Sequence, residues 1–300
     1  MLKNKVELLS PAGDFEKLKF ALNYGADAVY LGGQNFSLRA NSTNFNKDEL
    51  KIAIDYVHER GKKIYFTANI FAHNNNIDEL KNYLPSLKNV DAIIVSDPGI
   101  FLLVKESLPH VDIHVSTQAN ITNYKAAQFW IELGAKRIIL ARELSFDEIK
   151  RIHQMNPQVE LEAFVHGAMC ISYSGRCLLS NFLSGRDANH GDCAQACRWK
   201  YNLVEQNRPN EFWPIEENQN GTFILNSKDM CMINYLDKIF DCGVTSLKIE
   251  GRMKSIYYVA AVTKIYREAI DDYFNDKNIY CDKKEYYLEE LEKVSHRHYS

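Results

Sequence analysis

Eight short apolar runs, all but the seventh followed directly by an amphipathic stretch, leave this chain few folds to choose from. The runs cover residues 6–9, 28–31, 63–67, 92–95, 112–116, 137–140, 159–165 and 245–249, and small or polar residues close them. Each is too short for a helix and reads as a strand followed by a turn. Between them, apolar residues recur at helical spacing, as in FEKLKFALNYG after Asp14 and KDELKIAIDYVHERG after Asn46, with glycine as the stop. Further helices are expected over 77–87, 100–108, 124–133, 232–243 and 257–274, and Ser145 with Glu148 forms a capping box ahead of another. Eight alternations in roughly 270 residues match a (β/α)8 barrel in count and length. A doubly wound sheet fits less well, because no G-x-G-x-x-G follows the first run.

In such a barrel the chemistry sits at the carboxyl ends of the strands. The polar or small residues there are Ser10, Gly33, Asn69, Asp97, Gln118, Arg142, His166 and Glu250. The chain's 46% hydrophobic content is ample for a core. A net charge of −3 excludes a generally basic nucleic-acid binder, so any such binding needs a local basic patch. No apolar run reaches membrane-spanning length and the first residues lack a signal-peptide pattern, so a cytoplasmic protein without a membrane partner is expected.

The seventh run leads into a stretch of another kind. Residues 162–201 hold Cys170, Cys177, Cys193 and Cys197, four of the seven cysteines, separated by six, fifteen and three residues. Free cysteine is often a small buried hydrophobe. Four clustered thiols interleaved with glycine, histidine and arginine instead suit a zinc ion or an iron–sulfur cluster. In a reducing compartment they are no disulfide framework, and an odd count agrees. The spacing is that of no zinc ribbon and names no metal.

Five segments then identify a likeness: ELLSPAG (7–13), EAFVHGAMCISYSGRCLLS (162–180), CRWKY (197–201), NSKDM (226–230) and LKIEGRMKS (247–255). Together they resemble the peptidase U32 family, described as collagenase-like proteases, and within it most of all the tRNA uridine hydroxylase branch. The resemblance implies a barrel over 1–275 with a cysteine-rich insertion after strand seven, and a [4Fe–4S] cluster. It also implies tRNA as substrate, 5-hydroxyuridine at the wobble position as product, and prephenate as cosubstrate. Members of that branch continue into a small β-rich domain, so 276–300 is expected to be a linker toward a missing domain.

Specific side chains follow from these expectations. Cys170, Cys177 and Cys193 are assigned as cluster ligands. Cys197 is the fourth, one helical turn after Cys193 and matching the branch's C-x-x-x-C-R-W pattern, with Cys231 in reserve at an expected helix start. His166, Glu162, Asp97 and Gln118 are candidate catalytic groups. Arg142 and Arg252 are forks for a small anionic cosubstrate such as a dicarboxylate. Arg39, Arg176 and Arg186 are candidates for RNA phosphates, and Tyr173 or Phe164 for stacking a base. Two other classes compete. A peptidase would need a nucleophile such as Cys170 beside His166, for the chain has neither H-E-x-x-H nor G-x-S-x-G. A zinc-stabilised binding module would need only the cysteines. The sequence carries no signal for an oligomeric state.

Overall fold

The eight strands close on themselves. β1 (Glu7–Pro11), β2 (Ala28–Gly32), β3 (Lys63–Ala68), β4 (Ala92–Val95), β5 (Asp112–Val115), β6 (Arg137–Ile139), β7 (Glu160–Ala168) and β11 (Ser246–Ile249) pair in parallel in that order, and β11 returns to β1. The computed structural model of the chain describes residues 6–33, 36, 44–170, 172–173, 176–199, 202–203, 209, 213–214 and 228–299. Helices α1 (Phe15–Asn23), α2 (Lys47–His58), α3 (Asn74–Tyr83), α4 (Pro98–Ser107), α5 (Tyr124–Leu133) and α6 (Phe146–Met155) link successive strands, and α9 (Ile256–Asn275) covers β1 after the last. Both faces of the sheet are covered, which is why β2 is buried at all five positions and reads as an unbroken apolar run.

Local signals start the helices where the sequence places them. Asp14 accepts from the Lys17 amide, and Asn46 with Glu49 and Ser145 with Glu148 form reciprocal caps. Asp97 serves the same end: its Oδ1 accepts from the Ile100 amide at 3.0 Å and starts α4. That occupies the carboxylate expected in catalysis, and it does not line the mouth.

Inside the barrel, Leu9, Ala28, Tyr30, Tyr65, Ala92, Ile94 and Ile139 form an apolar layer with Phe164 against it. At the amino ends of the strands the interior is charged instead. Arg137 donates to Glu7 at 2.5 Å, Glu160 at 2.7 Å and Glu162 at 3.0 Å. Tyr65 and Ser246 also donate to Glu7, at 2.6 and 2.9 Å. Glu162 then accepts from Lys248 at 2.8 Å.

Three features depart from the expected pattern. β8 (Asn202–Leu203) and β9 (Trp213–Pro214) make a small antiparallel ribbon. β10 (Asp229–Cys231) runs antiparallel to the carboxyl end of β7, so Cys231 sits in a strand and not at a helix start. The helix expected over 232–243 is a single 3-10 turn followed by α8 (Leu236–Asp241). The cysteine stretch adds α7 (Leu179–Ser184).

The segment 276–300 is no open linker. Its helices α10 (Lys277–Asp282) and α11 (Lys284–Glu292) pack on α9 and bury Tyr280, Tyr287 and Leu291 completely. Arg297 then meets buried Asp229 at 2.6 Å, and Tyr299 bridges to the same residue. Among the described residues no helix is long and apolar enough to cross a membrane.

Candidate functional site

The carboxyl ends of the strands surround a cavity of about 60 Å³. Asn69, Ser116 and Gln118 form one wall, where Asn69 Nδ2 donates to Gln118 Oε1 at 2.9 Å and the Ser116 hydroxyl donates to the same oxygen. Arg142, Glu250 and Arg252 form the other. Arg252 is buried and donates to Thr67 Oγ1 at 2.8 Å. Arg142 stacks over the Phe164 ring at 4.5 Å and donates to the Ala168 carbonyl at 2.9 Å. Two glycines of distant segments allow this convergence. A Cβ on Gly13 would stand 2.1 Å from the Arg252 carbonyl oxygen, and one on Gly167, at φ +112°, 2.6 Å from that of Glu250.

Above it lies a second cavity of about 320 Å³, lined by Cys170, Cys177, Cys193 and Cys197. Gln118, Arg142 and Glu250 line both cavities and so form the wall between them. Burial pushes the Cys170 and Cys197 thiols up, the neighbouring cysteines add to this, and Arg142 and Arg198 respectively oppose it. Backbone amides of Ser172 and Gln195 point at the sulfurs of Cys170 and Cys193, at 3.4 and 3.3 Å.

These donors fit an iron–sulfur cluster. Soft thiolates are its usual ligands, amide hydrogen bonds to sulfur would stabilise it, and Arg142, Arg198 and Lys254 in the lining would offset its negative charge. Among the described residues no three His, Cys, Asp or Glu side chains are gathered as closely as one metal ion requires. Cys170, Cys177, Cys193 and Cys197 all line the larger cavity. Cys231 lies elsewhere, buried in β10 and paired with His166 across the strands.

Several expected side chains fall outside both cavities. His166 packs in an aromatic box of Tyr258, Tyr266 and Tyr299, with Nδ1 3.4 Å from the Tyr266 hydroxyl. A shift of register between β7 and β11 explains this: Phe164 pairs with Lys248, but His166 pairs with Ile249, so one extra residue turns His166 to the outside. Glu162 does face inward, yet it is fully buried beneath the mouth and held by Arg137 and Lys248. Arg176 and Tyr173 are exposed on the cysteine stretch, Arg176 over the Phe71 ring at 5.3 Å and reaching the Gln118 carbonyl. Arg186 is tied to Asp192 at 2.8 Å, and Arg39 lies outside the described residues.

The box makes His166 a pH-sensitive element of stability. Burial pushes its pKa down from 6.5 to about 3, against weak opposition from Asp229. Between those values the unfolded chain binds a proton that the folded chain does not, so stability falls as pH falls. In urea melts from pH 6 to pH 4, His166→Phe should lose about 1.4 kcal/mol per pH unit from the slope of stability against pH. Superimposable slopes would show that the ring is not held neutral.

The likeness of the five segments extends over nearly the whole chain, for residues 13–300 match the family model of peptidase family U32. The chain belongs to that family. It is 46% identical over 299 residues to tRNA hydroxylation protein P1 of Bacillus subtilis, covering 99% of this chain and 70% of that protein. It is 41% identical over 340 residues to tRNA hydroxylation protein P of Escherichia coli, covering 99% and 74%. The 23S rRNA 5-hydroxycytidine C2501 synthase of Escherichia coli is 39% identical over 271 residues, 89% of this chain and 40% of that one. Among solved structures, a U32 peptidase superposes with a TM-score of 0.53 at 16% identity, over 84% of this chain and 95% of the other, and shares the fold.

Within this U32 chain, sequence reasoning missed Arg137 and Lys248. Both are single charges inside strands otherwise apolar, and that anomaly was their available signal.

Proposed function

We propose that this chain is an iron–sulfur-dependent RNA hydroxylase that converts the wobble uridine of tRNA to 5-hydroxyuridine in the cytoplasm. The carrying observation is the shared wall: the cavity of four cysteines opens against the barrel mouth through Gln118, Arg142 and Glu250. The names of the relatives supply the substrate class, tRNA in two and ribosomal RNA in the third.

Cys170, Cys177, Cys193 and Cys197 would hold a [4Fe–4S] cluster, which when bound supplies one-electron chemistry beside the mouth. The larger cavity admits the base, and Tyr173, 62% exposed on the cysteine stretch, offers a stacking face. Arg176 and Arg186, with Arg39, are placed in sequence to meet phosphates. Arg142 and Arg252 orient a small anionic cosubstrate, for which the family resemblance names prephenate. The Asn69–Ser116–Gln118 chain fixes which way the Gln118 amide faces the bound molecules.

A peptidase reading has less support. The base it would borrow, His166, has Tyr266 as its hydrogen-bond partner and lies behind β7, and among the described residues no histidine lines the cysteine cavity.

The test is nucleoside mass spectrometry of tRNA from a host lacking its own wobble hydroxylation, with and without this chain. Appearance of 5-hydroxyuridine is expected. Unmodified uridine, or hydroxylated cytidine in 23S rRNA with the tRNA untouched, would overturn the substrate assignment.

A further inference from the structure

Buried Asp229 ties together segments that lie far apart in the sequence. In β10 it pairs with Ala168 at the end of β7, while its amide donates to the His298 carbonyl at 3.0 Å. Its carboxylate accepts from the Arg297 amide at 3.0 Å and from the Arg297 Nε at 2.7 Å. The same guanidinium reaches further, for Arg297 Nη2 donates to the Met169 carbonyl at 3.3 Å. Met169 immediately precedes Cys170, and both line the larger cavity. Residues 295–299 touch that lining at a second point, where Lys254 donates to the Ser295 carbonyl at 3.0 Å. Tyr299 fastens the segment to the body of the barrel. Its hydroxyl donates to the Leu291 carbonyl at 3.0 Å, and its ring stacks on His296 and closes the box around His166.

We infer that residues 295–299 are a latch on the cysteine cavity, with Arg297 the positioning residue that holds the backbone entering Cys170. This rests on the reading of that cavity as a cluster site and adds what keeps its first ligand in place. The chemistry of the contact supports it. A guanidinium is a rigid fork, so one side chain serves the Asp229 carboxylate and the Met169 carbonyl together, with charge-assisted bonds to the first. Asp229 is 2% exposed, and a buried carboxylate holds its cation firmly because parting from it is costly. The backbone of the segment pairs with Asp229 independently of that side chain, so Arg297 is located twice over. A ligand on an untied segment must be ordered when the metal arrives, at a cost in affinity. One tied beforehand avoids that cost. The latch also makes the end segment a control point, since displacing it releases the backbone on which Cys170 depends.

Thiol labelling of the metal-free full chain tests the latch without any cluster. Iodoacetamide is applied under native conditions and each cysteine is followed by peptide mass spectrometry. Arg297→Lys keeps a positive charge beside Asp229 but has no second prong for the Met169 carbonyl. Cys170 should then react about tenfold or more faster than in wild type, while buried Cys242 and exposed Cys281 keep their rates. Cys242 is the control, because a general loss of stability would open it as well. Asp229→Asn with Arg297→Gln, a neutral pair that also gives up the fork, carries the same expectation should Arg297→Lys fail to fold. An unchanged Cys170 rate in a folded variant, or Cys170 and Cys242 quickened by the same factor, would overturn the latch. A second arm loads wild type and variant anaerobically with iron and sulfide and challenges both with a chelator. Iron should leave the variant about tenfold faster, and equal loss would overturn the role of Arg297 at the ligand. Selective labelling of Cys170 in a chain whose wild type takes up no iron would overturn the cluster reading and leave the latch standing.

Discussion

After anaerobic reconstitution, serine at Cys197 should strip the chain of most of its iron and lower RNA hydroxylation by more than about a hundredfold, while serine at Cys231 leaves both close to wild type. The difference follows from place. Cys197 shares a cavity with Cys170, Cys177 and Cys193, and each of those cysteines raises its thiol pKa through space. Cys231 is shut into β10, with its thiol against the Tyr266 hydroxyl and no part in that cavity. Losing its sulfur should cost about 1 kcal/mol of stability through packing and nothing in metal content. Iron analysis and absorbance near ~400 nm from sulfur-to-iron charge transfer read the two variants side by side. A loaded Cys197→Ser protein beside a depleted Cys231→Ser protein would reverse the assignment.

The largest effect on stability should come from Arg137→Met. That guanidinium compensates Glu7, Glu160 and Glu162 at the base of the barrel, and only Glu162 keeps a second buried cation, Lys248. Removing one partner of a buried ionic network costs about 3–5 kcal/mol, which urea unfolding at pH 7 would register. The pH dependence gives a second signature. Burial pushes the Glu7 pKa up, but Arg137 with its hydrogen bonds more than reverses this and holds it below the usual 4.5. In wild type Glu7 therefore adds stability above pH 4.5 that is lost as the pH falls through its folded value. Without Arg137 burial is opposed only by the hydrogen bonds from Tyr65 and Ser246, the folded pKa rises, and mild acid should recover part of the variant's loss. A loss under about 1 kcal/mol with no recovery would mean that water already screens the network.

The barrel was legible because its strands read as short, mostly apolar runs closed by small or polar residues, signals that do not depend on distant contacts. β10 was not. Asp229–Cys231 is three residues long, and it forms because β6 ends at Ile139 and leaves the far end of β7 unpaired, a fact of three-dimensional register. The terminal segment was expected to be a linker because the resembling branch continues past it, although Tyr287 and Leu291 carry the four-residue spacing of a buried helical face. At the site, the cysteines announced themselves by clustering, and Asn69, Gln118, Arg142 and Glu250 by their places at strand ends. Glu162 and Phe164 do face inward, but His166, expected at the mouth because it closes the seventh run, is turned outside by the shift of β7 against β11. Lys248 was hidden by the same habit, that of reading chemistry only at the ends of strands.

What the four-cysteine cavity holds decides the proposed chemistry. Iron, zinc and acid-labile sulfide measured on wild-type protein purified without oxygen test it most directly. About four irons and four sulfides per chain, with zinc absent, is the predicted result. Stoichiometric zinc without sulfide, or no metal at all in active protein, would contradict it.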